Sequence, residues 1–188
     1  MTTTPAAADD HAGARAAFTE SAREVTVPVA VILQRETAAA EKWAHAQWSA
    51  FAVVAGAHLA HGDAPVLIHD EGGIRRYFCG GMSLRLYKDG GESYWHNLLS
   101  EPPRLFVICD GEQGDEHVSP AFITADQDEA SGCMESERLV LSAPMPPSIC
   151  DVVERYVISH YRPMQKRKRK RREWAEESVY AKNPGAAE

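Results

Sequence analysis

The chain has no run of apolar residues long enough to cross a lipid bilayer. No segment approaches the roughly 20 consecutive apolar residues that a membrane-spanning helix requires. Residues 1–23 are rich in alanine and interrupted by acidic and basic side chains. They contain neither the basic region nor the apolar region of a secretory signal peptide. We therefore expect a cytoplasmic protein without a membrane span.

Paired cysteines are also missing from the sequence. The four cysteines are spaced 30, 24 and 17 residues apart and form no Cys-x-x-Cys pair; they are Cys79, Cys109, Cys133 and Cys150. Such wide spacing is typical neither of a compact disulfide framework nor of a zinc site. Buried free thiols are the favoured interpretation.

No motif of a known catalytic centre or phosphate-binding loop is present. The chain has no Gly-x-Ser-x-Gly turn, and the Cys79–Ser83 stretch has two glycines but no following lysine. His58 and His61 have metal-ligand spacing, yet Ala, Gly and Pro surround them, so a solvated loop is favoured over a zinc site. We accordingly expect neither a cofactor nor catalytic activity.

What the sequence does contain is a strong charge asymmetry. The 188 residues carry 20 Lys+Arg and 27 Asp+Glu, a formal net charge of −7. Residues 1–161 hold 11 basic and 23 acidic side chains, whereas residues 162–172 hold 8 basic and none acidic. The length fits one domain with tails. We predict a flexible lead-in over 1–23, one β-rich domain over 24–161, and a basic then polar tail over 162–188.

Short β-prone segments dominate the predicted domain, with turn signals every 8–14 residues. Asp89 and Gly90 are typical of a hairpin turn, after which Glu92–Leu99 would be the return strand. The other predicted strands are Val25–Leu33, Trp48–Ala55, Pro65–His69, Ile74–Cys79, Met82–Tyr87, Arg104–Cys109, His117–Thr124 and Glu137–Ala143. A bulge or bend is expected at Gly80–Gly81 between the fourth and fifth of these.

Two helices are predicted near the end of the domain. The first is short, near Ala125–Ser131, capped by Thr124 and stopped by Gly132. The second runs over Ser148–Tyr161 and begins with Ser148 as its cap. Its apolar stripe has the spacing of a helix that packs on a core and comprises Ile149, Val152, Val153, Tyr156, Val157 and His160 or Tyr161.

These elements predict an α+β fold with mainly antiparallel β structure. The sheet would form a sandwich or a partly open barrel, and the Ser148–Tyr161 helix would cap it. A barrel of the pleckstrin-homology type is one candidate.

Two features suggest contacts with other molecules. Tyr94, Trp95, His96 and Asn97 would alternate along the predicted return strand, so one pair would face outward unless the core absorbs the aromatic rings. The second feature is a cationic run that comprises Lys166, Arg167, Lys168, Arg169, Lys170, Arg171 and Arg172. The run favours either nucleic acid or an acidic protein surface. Because the rest of the chain is acidic and repels polyanions, a protein partner is preferred.

The chain also resembles a known bacterial family, domain of unknown function 3305. The resemblance rests on VPVAVILQRE, the tryptophan-bearing second strand, LRLYKDGGESYWHNLLSEPPRLFVIC, APMPPSICDVVERYVISHY and KRKRKRR, and covers about Val25–Arg172. Members of this family are often encoded beside formate dehydrogenase genes. The resemblance therefore implies an accessory role in assembling or operating a molybdenum- or tungsten-dependent formate dehydrogenase.

Together these observations give two functional hypotheses. The first is a non-catalytic accessory or chaperone-like protein that binds a formate dehydrogenase subunit or maturation factor through Tyr94–Asn97 and the basic run. The alternative is a nucleic-acid-binding or regulatory protein that uses the basic run.

Overall fold

A computed structural model of the chain describes residues 19–21, 24–37, 46–56 and 64–162. These residues contain eight strands, three α-helices and a short 3₁₀ turn over Lys88–Gly90. The strands are β1 (Thr19–Ser21), β2 (Glu24–Glu36), β3 (Gln47–Ala55), β4 (Val66–Glu71), β5 (Ile74–Tyr87), β6 (Arg104–Asp110), β7 (Ser119–Thr124) and β8 (Leu139–Pro144). The helices are α1 (Gly91–Leu98), α2 (Gln127–Glu135) and α3 (Pro147–His160).

The two longest strands, β2 and β5, pair antiparallel over their whole length. The ladder runs from Glu24 opposite Tyr87 to Glu36 opposite Ile74. Its register shifts between Val29 and Val31, opposite the predicted bend, where Gly81 has a φ of 73°. The predicted irregularity at Gly80–Gly81 is therefore confirmed, but Ile74–Cys79 and Met82–Tyr87 form one bent strand rather than two.

The remaining strands attach to the two edges of this pair. One edge of β2 carries β1 and then β3, and the free edge of β5 carries β4 and then β7. The sheet continues from β7 through β6 to β8, which lies against β3. The result is a nearly closed, mostly antiparallel barrel with three helices, so the predicted α+β fold class is confirmed.

The core lies inside the barrel and under α3. Alternate residues of β2 point inward, and Val27, Val29, Val31 and Leu33 are fully buried. Each such side chain contributes about 1.5–3 kcal/mol through removal of its apolar surface from water. The stripe predicted for α3 is confirmed, since its first five members are buried, and His160 and Tyr161 at its end are partly buried. The helix begins one residue earlier than predicted, and its N-cap is Pro146, with no side-chain cap from Ser148.

The predicted return strand over Glu92–Leu99 is wrong, because this segment is helix α1. Gly90 and Gly91 have φ values of −77° and −57°, so neither adopts the left-handed conformation of a tight hairpin turn. Instead, glycine is required at both positions because a side chain would not fit there. A Cβ on Gly90 would lie 2.6 Å from the Tyr94 ring, and one on Gly91 would lie 3.0 Å from Tyr161 Cβ.

Helix α2 is confirmed, but its predicted boundaries are wrong. Asp126, not Thr124, is the N-cap, and its carboxylate accepts hydrogen bonds from the backbone N–H groups of Asp128 and Glu129. Thr124 supports this cap by accepting a hydrogen bond from the Asp126 N–H. Gly132 does not stop the helix, which continues to Glu135.

The other predicted strands agree with the structure to within three residues at each end. The lead-in predicted over 1–23 contains a strand, because Thr19–Ser21 pairs with Glu24–Thr26 of β2. The predicted tail from residue 163 onward lies outside the described residues.

The β4–β5 turn generates a prediction about stability. Gly72 and Gly73 both have positive φ, 60° and 82°, but only at Gly73 would a Cβ meet a neighbour, 2.7 Å from the Thr37 carbonyl oxygen. We expect Gly72→Ala to cost about 1 kcal/mol, the penalty of a left-handed alanine. Gly73→Ala should cost about 3 kcal/mol, because it also disrupts the Thr37 N–H to Gly73 C=O hydrogen bond of 2.9 Å. Urea unfolding of both variants measures the difference, and equal losses would contradict the close-approach explanation.

Candidate protein-binding surface

The predicted contact residues on α1 do not form one surface. Tyr94 and Asn97, three residues apart on the helix, are 2% and 1% exposed. Trp95 is partly buried against the core, and His96 is exposed. The prediction that alternate residues face opposite ways was wrong because it assumed a strand. Tyr94 and Asn97 are therefore unavailable to a partner.

Tyr94 joins α1 to the end of β5 and to α3. Its hydroxyl accepts a hydrogen bond of 3.1 Å from the Tyr87 backbone N–H, and its ring meets the edge of Tyr156 at a centroid distance of 6.3 Å. Burial raises the pKa of Tyr94 to about 12, because the charged phenolate would lose its hydration. The side chain is a neutral structural element.

Asn97 connects three separate backbone segments. Its amide nitrogen donates to the carbonyl oxygens of Arg104 and Ala125, each at 2.7 Å, and its amide oxygen accepts from the Arg104 N–H at 2.9 Å. Arg104 begins β6, and Ala125 follows β7. One buried amide thus fixes α1 against two strands, because these backbone groups would otherwise be unpaired.

Several residues considered from the sequence lie outside the described residues. They include His58, His61 and the cationic run Lys166–Arg172, so their predicted roles stay predictions. Within the described ranges, no group of three His, Cys, Asp or Glu side chains is arranged to hold a metal ion. The same part of the chain has no helix that is both long and apolar enough to span a membrane.

The cysteine at the predicted bend is a buried thiol. Cys79 and Cys109 are both buried in the barrel core. Desolvation raises the pKa of Cys79 to about 11 and the pKa of Cys109 to about 12. Because the thiolate is the nucleophile, neither cysteine is activated for covalent chemistry.

The structure reveals a partly exposed apolar surface that the sequence did not predict, in which Phe51, Val54 and Val66 are exposed and Ile32 and Phe78 are partly buried. One row of paired residues crosses four neighbouring strands, from Ala52 through Ile32 and Phe78 to Val66. Phe51 and Val54 of β3 lie beside this row. We call the surface formed by Ile32, Phe51, Val54, Val66 and Phe78 the apolar face.

A cationic side chain packs on one part of the apolar face. The Arg76 guanidinium carbon lies 3.8 Å from the centroid of the Phe51 ring, and its Nε donates to Gln34 Oε1 at 2.9 Å. Gln34 and Arg76 are paired across β2 and β5, which places them on the same side of the sheet as Ile32 and Phe78. Phe51 nevertheless remains 47% exposed.

Strand β4 gives this surface an open edge. It pairs with β5 on one side and with no other described strand. Val66, Leu67 and Ile68 are 56%, 49% and 52% exposed, although they form the most apolar part of the strand. An exposed apolar edge strand offers both unpaired backbone groups and apolar side chains to another chain.

The sequence correctly predicted this strand, but it did not predict that the side chains of the strand are exposed. Val66, Leu67 and Ile68 are consecutive, and a consecutive apolar run usually indicates a strand covered on both faces. The polar end of the strand, His69–Glu71, is unusual for a central strand and could have indicated an edge strand. It identifies β4 as an edge strand only once the pairing order is known.

The surroundings of these surfaces are acidic. Residues 24–37, 46–56 and 64–162 carry nine Lys or Arg and 18 Asp or Glu side chains. A folded body of this charge repels polyanions and attracts basic partners at long range.

Comparison with models of protein families gives a match over most of the chain. The model of a family described as "Protein of unknown function (DUF3305)" matches residues 28–170. No curated protein and no solved structure matches the chain.

The contacts of Asn97 generate a prediction about stability. Asn97→Ala should lower the free energy of unfolding by about 3 kcal/mol, because it removes the side-chain partner of one buried and two partly buried backbone groups. His96→Ala, at the exposed neighbouring position, should change it by less than about 0.5 kcal/mol. Urea titration followed by circular dichroism measures both values. A small loss for Asn97→Ala would contradict the connecting role.

The burial of the two core thiols predicts their reactivity. With a pKa near 11, about one Cys79 thiol in a thousand is ionised at pH 8. Iodoacetamide should therefore leave Cys79 and Cys109 unmodified in the native protein and modify both in guanidinium chloride. Partly exposed Cys133 is the internal control for reagent activity. Peptide mass mapping gives the result, and rapid native labelling of Cys79 would show the assignment to be wrong.

Proposed function

The chain belongs to the DUF3305 family, and from that premise we propose that it is a non-catalytic accessory protein that binds a partner protein through the apolar face and the adjoining edge of β4. The proposed partner is a formate dehydrogenase subunit or a maturation factor of that enzyme. The surface supports the mode of binding, and the family resemblance described above supports the choice of partner.

The exposure of β4 is the observation that carries the proposal. Three consecutive large apolar side chains, Val66, Leu67 and Ile68, stand about half exposed on an edge strand. A protein that stays monomeric normally protects such an edge with charge, proline or a covering segment. A partner that covers the edge would remove this apolar area from water and pair its backbone groups.

The apolar face extends the same contact area across the sheet. Val66 lies opposite Phe78, and Phe78 lies opposite Ile32. A strand added beside β4 would therefore place its own side chains next to an apolar row already present. The combination of backbone pairing and apolar contact is typical of strand-addition complexes.

A charged substitution on the edge tests the proposal. Val66→Lys should reduce capture of formate dehydrogenase subunits or maturation factors at least about tenfold, because the ammonium group would be desolvated in the contact. Ile158→Lys is the matched control, since Ile158 is a large apolar residue on α3 that is 71% exposed and remote in the chain from β4. The measurement is quantitative mass spectrometry after native affinity purification of the tagged full chain from its native host.

Three outcomes distinguish the parts of the proposal. Loss of capture with Val66→Lys and retention with Ile158→Lys supports both surface and partner. Equal capture by Val66→Lys and the unsubstituted chain would refute the surface. Failure of the unsubstituted chain to enrich any formate dehydrogenase component would refute the partner. Both substitutions lie at exposed sites, so their unfolding free energies should stay within about 0.5 kcal/mol of the original.

A further inference from the structure

Strands β5 and β7 separate from each other and leave a slot in the barrel wall. They run parallel and pair at a single position, Leu84 opposite Ile123. Beyond that position the strands diverge around a cavity of about 540 Å³. Gly80, Gly81, Met82 and Ser83 line one wall, and Pro120, Ala121 and Phe122 line the other. We call this cavity the β5–β7 slot.

Both walls of the slot are strand edges. On this side of β5, β4 pairs with residues up to Phe78, and β7 pairs only at Leu84. Among the described residues, no strand pairs with positions 79–83 of β5 from this side. Strand β7 is held by β6 on its other side. The slot therefore offers backbone groups without a strand partner on two sides, although Pro120 has no N–H to donate, and an extended backbone could pair with both sides at once.

Small side chains keep these walls accessible. Gly80 and Gly81 have no side chains, so another backbone can approach β5 closely at this point. Ser83 and Ala121 are small and exposed on opposite walls. The bend of β5 accounts for Gly81, whose φ is 73°, and the absence of a side chain at both positions also leaves room for another backbone.

The end of the slot nearest Leu84 is charged. Arg85 and Glu129 line it, and Arg85 Nε lies 3.8 Å from Glu24 Oε1. Arg85 is thus paired with one carboxylate, and Glu129 adds a second carboxylate to the lining, within a folded body that carries nine basic and 18 acidic side chains. The charges of the lining balance, so the preference for a basic ligand comes from the overall charge of the body.

We propose that the β5–β7 slot binds an extended peptide segment of another protein, a segment that carries Lys or Arg and adds a short strand between β5 and β7. This site is separate from the apolar face and does not depend on the formate dehydrogenase proposal. Backbone pairing would supply affinity, the acidic body would attract a basic peptide, and Glu129 would pair with a Lys or Arg at one end of it.

Selection from a displayed library of random dodecapeptides against the full chain tests the proposal. The best enriched peptide is then synthesised, and its Kd is measured by isothermal titration calorimetry. Enriched peptides should carry Lys or Arg beside β-branched or aromatic residues. Ser83→Trp, which fills the slot, should raise the Kd at least about tenfold. Ser142→Trp is the matched control, because Ser142 is an exposed strand serine on β8 outside the slot.

A second variant and a measurement of amide hydrogen exchange ensure that the conclusion does not depend on a single substitution. Ala121→Trp, on the opposite wall, should weaken binding as Ser83→Trp does, and all three variants should keep the original unfolding midpoint. Bound peptide should slow amide exchange at 80–83 and 121–122 in the unsubstituted chain. Such protection would support the proposal.

Several outcomes would overturn it. Enriched peptides that bind Ser83→Trp and Ala121→Trp as tightly as the original chain would place the site elsewhere. Protection of the slot that rises with protein concentration and needs no peptide would indicate a second copy of the chain. Protection without peptide that disappears when the chain is cut after Arg162 would indicate the chain's own C-terminal segment. A selection that enriches nothing would show that the slot does not bind peptides.

Discussion

The continuous pairing of β2 with β5 is the interaction on which the rest of the structure depends. It joins 13- and 14-residue strands along their full length, and every other strand is attached to one of its two edges directly or through a neighbour. Strands this long cannot be covered on both edges by single partners of six to nine residues. Each edge therefore pairs with two short strands in succession. The topology thus requires a position on each edge where one short strand ends and the next begins.

Local patterning was sufficient to predict most of this fold. The β-branched alternation of β2 and the apolar stripe of α3 follow from side chains that must face one core, so their periodicity is visible in the sequence. The error at α1 has a definite physical cause. Gly90 and Gly91 resemble a turn, but they are glycines because Tyr94 and Tyr161 occupy the space that a Cβ would need. The contact of Gly91 with Tyr161, far along the chain, cannot be inferred from the local turn pattern, and that of Gly90 with Tyr94 arises only once the segment is a helix.

The candidate surface was harder to predict, for the same reason. The buried amide of Asn97 contacts backbone at Arg104 and Ala125, and nothing local to α1 indicates those partners. Conversely, Val66, Leu67 and Ile68 have the composition of a buried strand and are exposed only because β4 occupies an edge. The apolar character of these residues can be read directly from the sequence. Their exposure depends on the order in which the strands pair, which is known only from the complete fold.

The acidic charge of the folded body opposes self-association through these open edges. Unpaired edges and exposed apolar side chains promote association between identical chains, and most proteins prevent this by placing charge on the edge itself. Here Asp70 and Glu71 close one end of β4, while most of the excess of acidic side chains is distributed over the rest of the body. Two copies of one acidic body repel each other at long range, whereas a basic partner is attracted to the same edges. Unpaired backbone groups would pair equally well with a second copy of the chain or with a different protein. The charge of the body favours a basic protein over a second copy. The net charge and the open strand edges are best understood as parts of one arrangement.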